Sequence, residues 1–289
     1  KVELKSAVAA LLQLSSKGDV WSKKGEKHPN GPIAYWDVSN VDDMRHMFSQ
    51  ARSFNADISR WHVASVTNMN SMSYRATSFN VDLSQWVVSR VTDMSLMFEE
   101  ARSFNKDMPN WHTSSVTKMN SMFRSAESFN GDISKWAVSR VTDMNGMFQD
   151  AASFNRDMLK WDVSRVTNMN GMFYGATSFN GDISKWDVSK VTTMVGMFYN
   201  SASFNRDLSE WDVSSVQNMD AMFSGCHNFA QEMCGASWVT SKATKTKIFT
   251  GSFGSIARQV CRATTASEPN PAATMSAKRT PPDINAAAT

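Results

Sequence analysis

Tryptophan recurs at a fixed step along this chain: Trp36, Trp61, Trp86, Trp111, Trp136, Trp161, Trp186 and Trp211 each stand 25 residues after the last. A period of that length marks a tandem array in which each unit is covered by its neighbours. Aligning the eight copies on Trp gives further columns without exception: Val41 to Val216, Met44 and Met47 to Met219 and Met222, and Phe54 to Phe229. Of 20 methionines, 16 fall in the two Met columns, so their surplus belongs to the repeat and calls for no separate methionine-rich binding surface.

Within one copy two periods follow each other. In "ISKWDV" (183–188) the apolar residues Ile183, Trp186 and Val188 end in the alternation of a strand with one buried face. In "VTTMVGMFYNSASF" (191–204) Met194, Met197, Phe198 and Ser201 fall at i, i+3, i+4 and i+7, one stripe of a helix. A Thr or Asp precedes that stripe in seven copies (Asp42 and Thr67 to Thr192), where its oxygen would cap the helix; Gln217 is the exception. The following Asn-x-Asp is expected to turn the chain by bonding its own local backbone. One strand and one short helix cannot enclose Trp, Val, Met and Phe, so the copies must stack. The expected fold is an α/β repeat, a right-handed solenoid of eight 25-residue strand–helix coils resembling leucine-rich repeats. Its core contains Trp61, Trp86, Trp136, Trp186, Met144, Met147, Phe148 and Phe154.

The pattern W-D-V-S-x-V-T-x-M-x-x-M-F-x-x-A-x-S-F-N-x-D-I-S, recurring in register over residues 33–229, resembles the BspA-like surface-protein repeat, a relative of the leucine-rich repeats met in bacterial surface lipoproteins and in many algal and protist proteins. The resemblance implies a non-catalytic solenoid that binds other macromolecules, without naming one partner. Val stands where ordinary leucine-rich repeats carry Asn, which argues against a strongly curved horseshoe. A second order is superposed: Lys106, Arg156 and Arg206, followed by Met108, Met158 and Leu208, alternate with Gly131 and Gly181, followed by Ile133 and Ile183. The duplicated unit is therefore 50 residues long.

Three segments follow: 1–32, a capping helix ("VELKSAVAALLQL", 2–14) and loop; 33–233, the array; and 234–289, a basic, low-complexity extended tail. The net charge of +3 is concentrated at the end, where residues 231–289 carry seven Lys or Arg against three Asp or Glu. A disulfide between Cys226 and Cys234 and two buried free thiols are both open readings, with Cys261 left unpaired. The longest apolar stretch is too short to span a bilayer. Lys1 is not an initiator Met, so the absence of a targeting segment assigns no compartment; an organellar or extracellular setting is preferred to a cytosolic one.

Chemistry is sparse. No P-loop, H-E-x-x-H or G-x-S-x-G occurs, the histidines have no consistent partners, and polar residues repeat rather than converge, so no enzyme, cofactor or metal is expected. Calcium held by the Asn-x-Asp pairs, or ice bound by the Thr column, are minor alternatives. Binding would instead use the variable columns flanking Trp, where Lys135, Lys160 and Lys185 run beside Asp162, Asp187 and Asp212. These rows either neutralise each other across coils or face a partner, and their mixed sign argues against nucleic acid. Lys242, Lys245 and Lys247 of the tail are a further candidate contact. The expected function is a structural or protein-interaction scaffold: a peripheral subunit of a larger assembly, anchored by its C-terminal tail, with an organellar, even photosynthetic, membrane complex as one form. A surface adhesin for a protein or glycan is the alternative.

Overall fold

The computed structural model describes residues 4, 6–8 and 31–261. Most of the expected 2–14 helix and its loop, and the tail beyond Cys261, lie outside the described residues, although Leu4 and Ser6–Val8 are helical. Val8 is fully buried in the core, with Leu4 and Ala7 packed against it.

Successive copies stack in parallel register. Bridges link Asp43 to Asn68, Asn68 to Asp93 and so on through every copy to Asn218 and Thr244. Indole N–H groups tie the coils on a second side: Trp136 Nε1 donates to Met108 O (2.9 Å) and Trp186 Nε1 to Met158 O (2.9 Å) in the preceding coil. The core is continuous, and Trp61, Trp86, Trp136, Trp186, Met144, Met147, Phe148 and Phe154 all lie in it, none more than 3% exposed. Of the first eight coils, all but the second pack two Phe rings face to face (Phe148–Phe154, 4.0 Å), and these rings stack on those of neighbouring coils, with Phe123–Phe148 at 5.7 Å and Phe129–Phe154 at 5.8 Å.

The strand and helix expected in each copy do not form. From residue 31 to 261, regular elements are confined to a 3-10 turn at Ile33–Tyr35, a five-residue helix at Ala236–Thr240, and two short parallel strands, Glu232–Met233 and Ser255–Ile256. "ISKWDV" contains one turn, closed by Trp186 N to Ile183 O, and leads into a second, closed by Val191 N to Val188 O. The helical stripe is a run of turns: Met47 N donates to Met44 O, Ser49 N to His46 O and Ala51 N to Phe48 O. The intervening N–H groups of Met44, His46, Phe48 and Gln50 donate to carbonyls of the next coil. Two left-handed positions per coil make this path: His46, Ser71, Leu96, Ser121, Gly146, Gly171, Gly196 and Ala221 take φ of 54–58°, and Gln50 to Gly225 take 54–74°.

The physical reason is thickness. A helix needs about 10 Å of width, but aromatic columns on both sides of the coil repeat at under 6.5 Å (Phe98–Phe123, 5.5 Å; Trp186–Trp211, 6.4 Å). Turns are thin enough to stack at that spacing, and they place Met44, Met47, Phe48 and Ala51 inward just as a helix would. With no helix to cap, the Thr column has another use: Thr67 donates N–H and Oγ1 to Asp42 O (2.9 and 3.0 Å), and Thr92, Thr167 and Thr192 do the same one coil apart.

The array also runs further than its sequence period. Trp238, 27 residues after Trp211, donates to Leu208 O (2.8 Å), and Phe249 stacks on Phe223 at 5.6 Å. A ninth coil therefore occupies much of the segment read as tail. Cys234 pairs with Cys261, closing that coil, and Cys226 is a buried free thiol, so neither earlier cysteine reading holds in full.

Candidate interaction surface

Most repeated polar side chains hold coils together. Each Asn of the Asn-x-Asp pairs accepts the backbone N–H of its equivalent one coil on: Asn80 N to Asn55 Oδ1 (2.8 Å), Asn155 N to Asn130 Oδ1 (3.0 Å), ending with Ala230 N on Asn205 Oδ1 (3.0 Å). This ladder replaces the local turn expected of those residues. The Asp two positions later bonds locally in most coils, with Ser84 N on Asp82 Oδ1 (2.8 Å) and Ser184 N on Asp182 Oδ1 (3.0 Å), whereas Asp107 and Asp157 accept from the N–H of Asp132 and Asp182 one coil on. The Ser backbone and hydroxyl donors hold the Asp82 and Asp182 carboxyls below the usual Asp range. Among the described residues no three His, Cys, Asp or Glu side chains are grouped to hold a metal ion.

What is left over faces water on either side of Trp. Lys135, Lys160 and Lys185 are exposed, as are Asp162, Asp187 and Asp212. Each Asp uses one oxygen on its own backbone, accepting from the N–H of Ser164, Ser189 and Ser214 at 3.0–3.1 Å. The Ser164 and Ser189 hydrogen bonds hold Asp162 and Asp187 low, while the Asp187 charge one coil away pushes Asp162 upward. Among the described residues no ion pair joins the Lys row to the Asp row; the pairs that form lie on another side, such as Arg75–Glu100 (2.9 Å) and Arg102–Glu127 (3.4 Å). The face is graded. Val87 is 54% exposed in the column that carries Asp162 three coils later, and Leu159 is 44% exposed beside it. A depression of about 310 Å³ over Trp111 is lined by Pro109, His112, Thr113, Lys135 and Ala137.

A second depression, about 500 Å³, sits where the 50-residue order shows: Asp132, Arg156, Asp157 and Arg206 line it. Arg156 and Arg206 each donate Nε to a carbonyl, Asn130 O and Asn180 O, both at 2.8 Å. The three tail lysines do not act together. Lys242 and Lys247 are exposed, whereas Lys245 occupies the inward Met column and its Nζ donates to Ser241 O (2.8 Å) and Ala243 O (3.0 Å). Burial lowers its pKa. The exposed Phe253 and Val260 of the ninth coil gave no signal in the sequence, because both fall after the period breaks.

This geometry defines a tandem-repeat protein whose copies hydrogen-bond in register from the first coil to the ninth. A family model described as "Mycoplasma protein of unknown function, DUF285" matches at residues 23–111, 81–165, 103–183 and 157–259, overlapping along most of the chain, and the chain belongs to that family. No curated protein and no solved structure matches it.

Proposed function

We propose that the protein is a non-enzymatic interaction scaffold, a right-handed solenoid whose outward face binds other protein subunits of a larger assembly. One observation carries this reading: the repeated Asn, Thr, Asp and Trp polar groups are spent on backbone partners, whereas the Lys and Asp rows beside Trp are exposed and unpaired with each other. The Asp row spends one oxygen of each side chain on its own turn and neither row neutralises the other, so the remaining charge is free to select a partner by complementarity. The resemblance to BspA-like surface repeats supports the same class, and attachment to an organellar membrane complex is one form of it. No described helix is long and apolar enough to cross a membrane, so such attachment would be peripheral through this part of the chain.

The test is native isolation under mild conditions of the wild type and of a Lys135→Glu, Lys160→Glu, Lys185→Glu variant. Loss of co-migrating subunits in the variant, with an unchanged melting temperature, is the expected result. An assembly of identical size and composition in both would remove this face from the contact. Truncation after Cys261, which keeps the ninth coil and its disulfide, separates the role of residues 262–289 from that of the array.

A further inference from the structure

The two ends of the stack differ. In the first coil Phe48 and Phe54 are 0% exposed, although no earlier copy covers them, and the helical Leu4, Ala7 and Val8 join the core. In the ninth coil Phe249 is only partly buried, Phe253 is 80% exposed and Val260 49%.

Backbone polarity adds to this. At each interface between coils a row of N–H groups at alternate residues donates forward: Met219, Ala221, Phe223 and Gly225 to Thr244, Thr246, Ile248 and Thr250 at 2.8–2.9 Å. In the last coil the equivalent donors are Lys245, Lys247, Phe249 and Gly251. Lys247 (φ 57°) and Gly251 (φ 74°) keep the left-handed geometry of their columns, so the row has the same aim. The carbonyls of Lys245, Lys247 and Phe249 are used in turns, by Ile248 N, Thr250 N and Ser252 N. Among the described residues, none of the four forward N–H groups has an acceptor. Along this row the edge presents donors alone, and such rows favour anionic or acceptor-rich ligands.

Charge agrees. Residues 234–261 contain Lys242, Lys245, Lys247 and Arg258 and no Asp or Glu. Residues 262–289 contain no Trp, Phe or Tyr and four prolines, so these residues do not supply the aromatic columns that the ninth coil would stack on.

Resting on the interaction-scaffold reading, we propose that the open edge of the ninth coil binds an extended acidic segment of a partner protein. Alternate carbonyls of that segment accept from Lys245, Lys247, Phe249 and Gly251. Its carboxylates lie over Lys242 and Lys247, and an apolar side chain covers Phe253. This is strand addition at an edge, here with one-way polarity.

The experiment uses the isotopically labelled full chain with two blocked eight-residue peptides, one alternating Glu and Val and one alternating Lys and Val. The Glu/Val peptide is expected to shift the amide resonances of Lys245, Lys247, Phe249 and Gly251 and to slow their hydrogen exchange. Lys242→Glu with Lys247→Glu weakens binding about tenfold at low salt. Phe253→Ser, a change at an exposed site that leaves the fold intact, weakens it independently. No shift at millimolar peptide, equal binding of the Lys/Val peptide, or shifts confined to the Lys135–Lys185 row would each overturn the proposal. Protection of these amides by self-association alone would also overturn it, giving the edge to a second copy. The outward-face reading is judged separately by native assembly size, so either can fail while the other stands.

Discussion

Ser73 occupies the inward column that is Phe in every other one of the first eight coils (Phe48, Phe98 and on to Phe223), and it is 0% exposed with its hydroxyl unpartnered. In those coils the column Phe stacks on a second Phe at 3.9–4.2 Å. Phe79 lacks that partner and leans instead toward Phe98 of the next coil, at 6.1 Å and 28°. Tyr74 does not fill the gap, since its ring sits under the Arg75 guanidinium at 4.9 Å and is partly exposed. Ser73→Phe should restore both stacks. Burial of the ring contributes about 2 kcal/mol, and removal of the orphaned hydroxyl about 1 kcal/mol. Repacking of neighbours that have relaxed into the space costs about 1–2 kcal/mol. The net is a gain of about 1–2 kcal/mol, or roughly 2–8 °C in Tm for a chain of this size. The assay is a reversible thermal melt beside Ser73→Ala, which removes the hydroxyl without filling the space and should gain less. A clear fall in Tm for Ser73→Phe with no loss for Ser73→Ala would show that the second coil has closed around Ser73, and that the column is not an interchangeable slot.

Other perturbations probe separate parts of the stack. Glu99 is buried with one oxygen unpartnered, and burial raises its pKa despite Arg124 at 3.7 Å. A raised folded-state pKa means that stability falls as pH rises from the ordinary Glu range through the folded value. Glu99→Gln should therefore raise Tm at pH 7 and leave it unchanged near pH 4, as paired melts would show. Cys226 donates to Phe198 O (2.7 Å), and burial pushes its pKa up to about 12, so a thiol reagent should not label it in the native state even after Cys234–Cys261 is reduced. That reduction should cost about 3 kcal/mol through the freed loop, with hydrogen exchange rising first in residues 234–261. Gly131→Ala drives a methyl into Lys106 O, a backbone atom that cannot yield cheaply, and should destabilise by more than about 2 kcal/mol in a denaturant titration, whereas Lys106→Ala should not.

The inward face was legible in the sequence because burial depends on which residues recur, and Trp, Val, Met and Phe recur without exception. The secondary structure was not. Met44, Met47, Phe48 and Ala51 at i, i+3, i+4 and i+7 suit a helix and a run of turns equally well, since both return the side chain to the same side about every fourth residue. A signal existed in the outward positions: Gly146, Gly171 and Gly196 recur in the middle of the supposed helix, where glycine is costly, and they mark a left-handed column. The ninth coil was hidden by two extra residues before Trp238 and by Lys245 in the Met column. The Asn column was visible as a pattern, but that its oxygens reach the next coil rather than their own turn depends on coil spacing, which no single copy encodes.

The same spacing explains why the sequence repeats most closely at 50 rather than 25 residues. Two kinds of interface alternate. Where a Gly coil follows a Lys or Arg coil, Gly131 lies against Lys106 O and Gly181 against Arg156 O, so close that a Cβ could not fit; Met108 N then reaches Asp132 O (3.1 Å) and Asp132 N reaches Asp107 Oδ1 (2.8 Å). Where an Arg coil follows a Gly coil, the Arg side chain crosses back, and Arg156 Nε takes Asn130 O (2.8 Å). A single coil carries only half of each contact. Duplicating one coil would set Gly beside Gly, or Arg where a carbonyl must approach, whereas duplicating the pair reproduces both interfaces. Growth by pairs lengthens the array without a misfitting junction, and it keeps Lys106, Arg156 and Arg206 two coils apart along one edge of the surface.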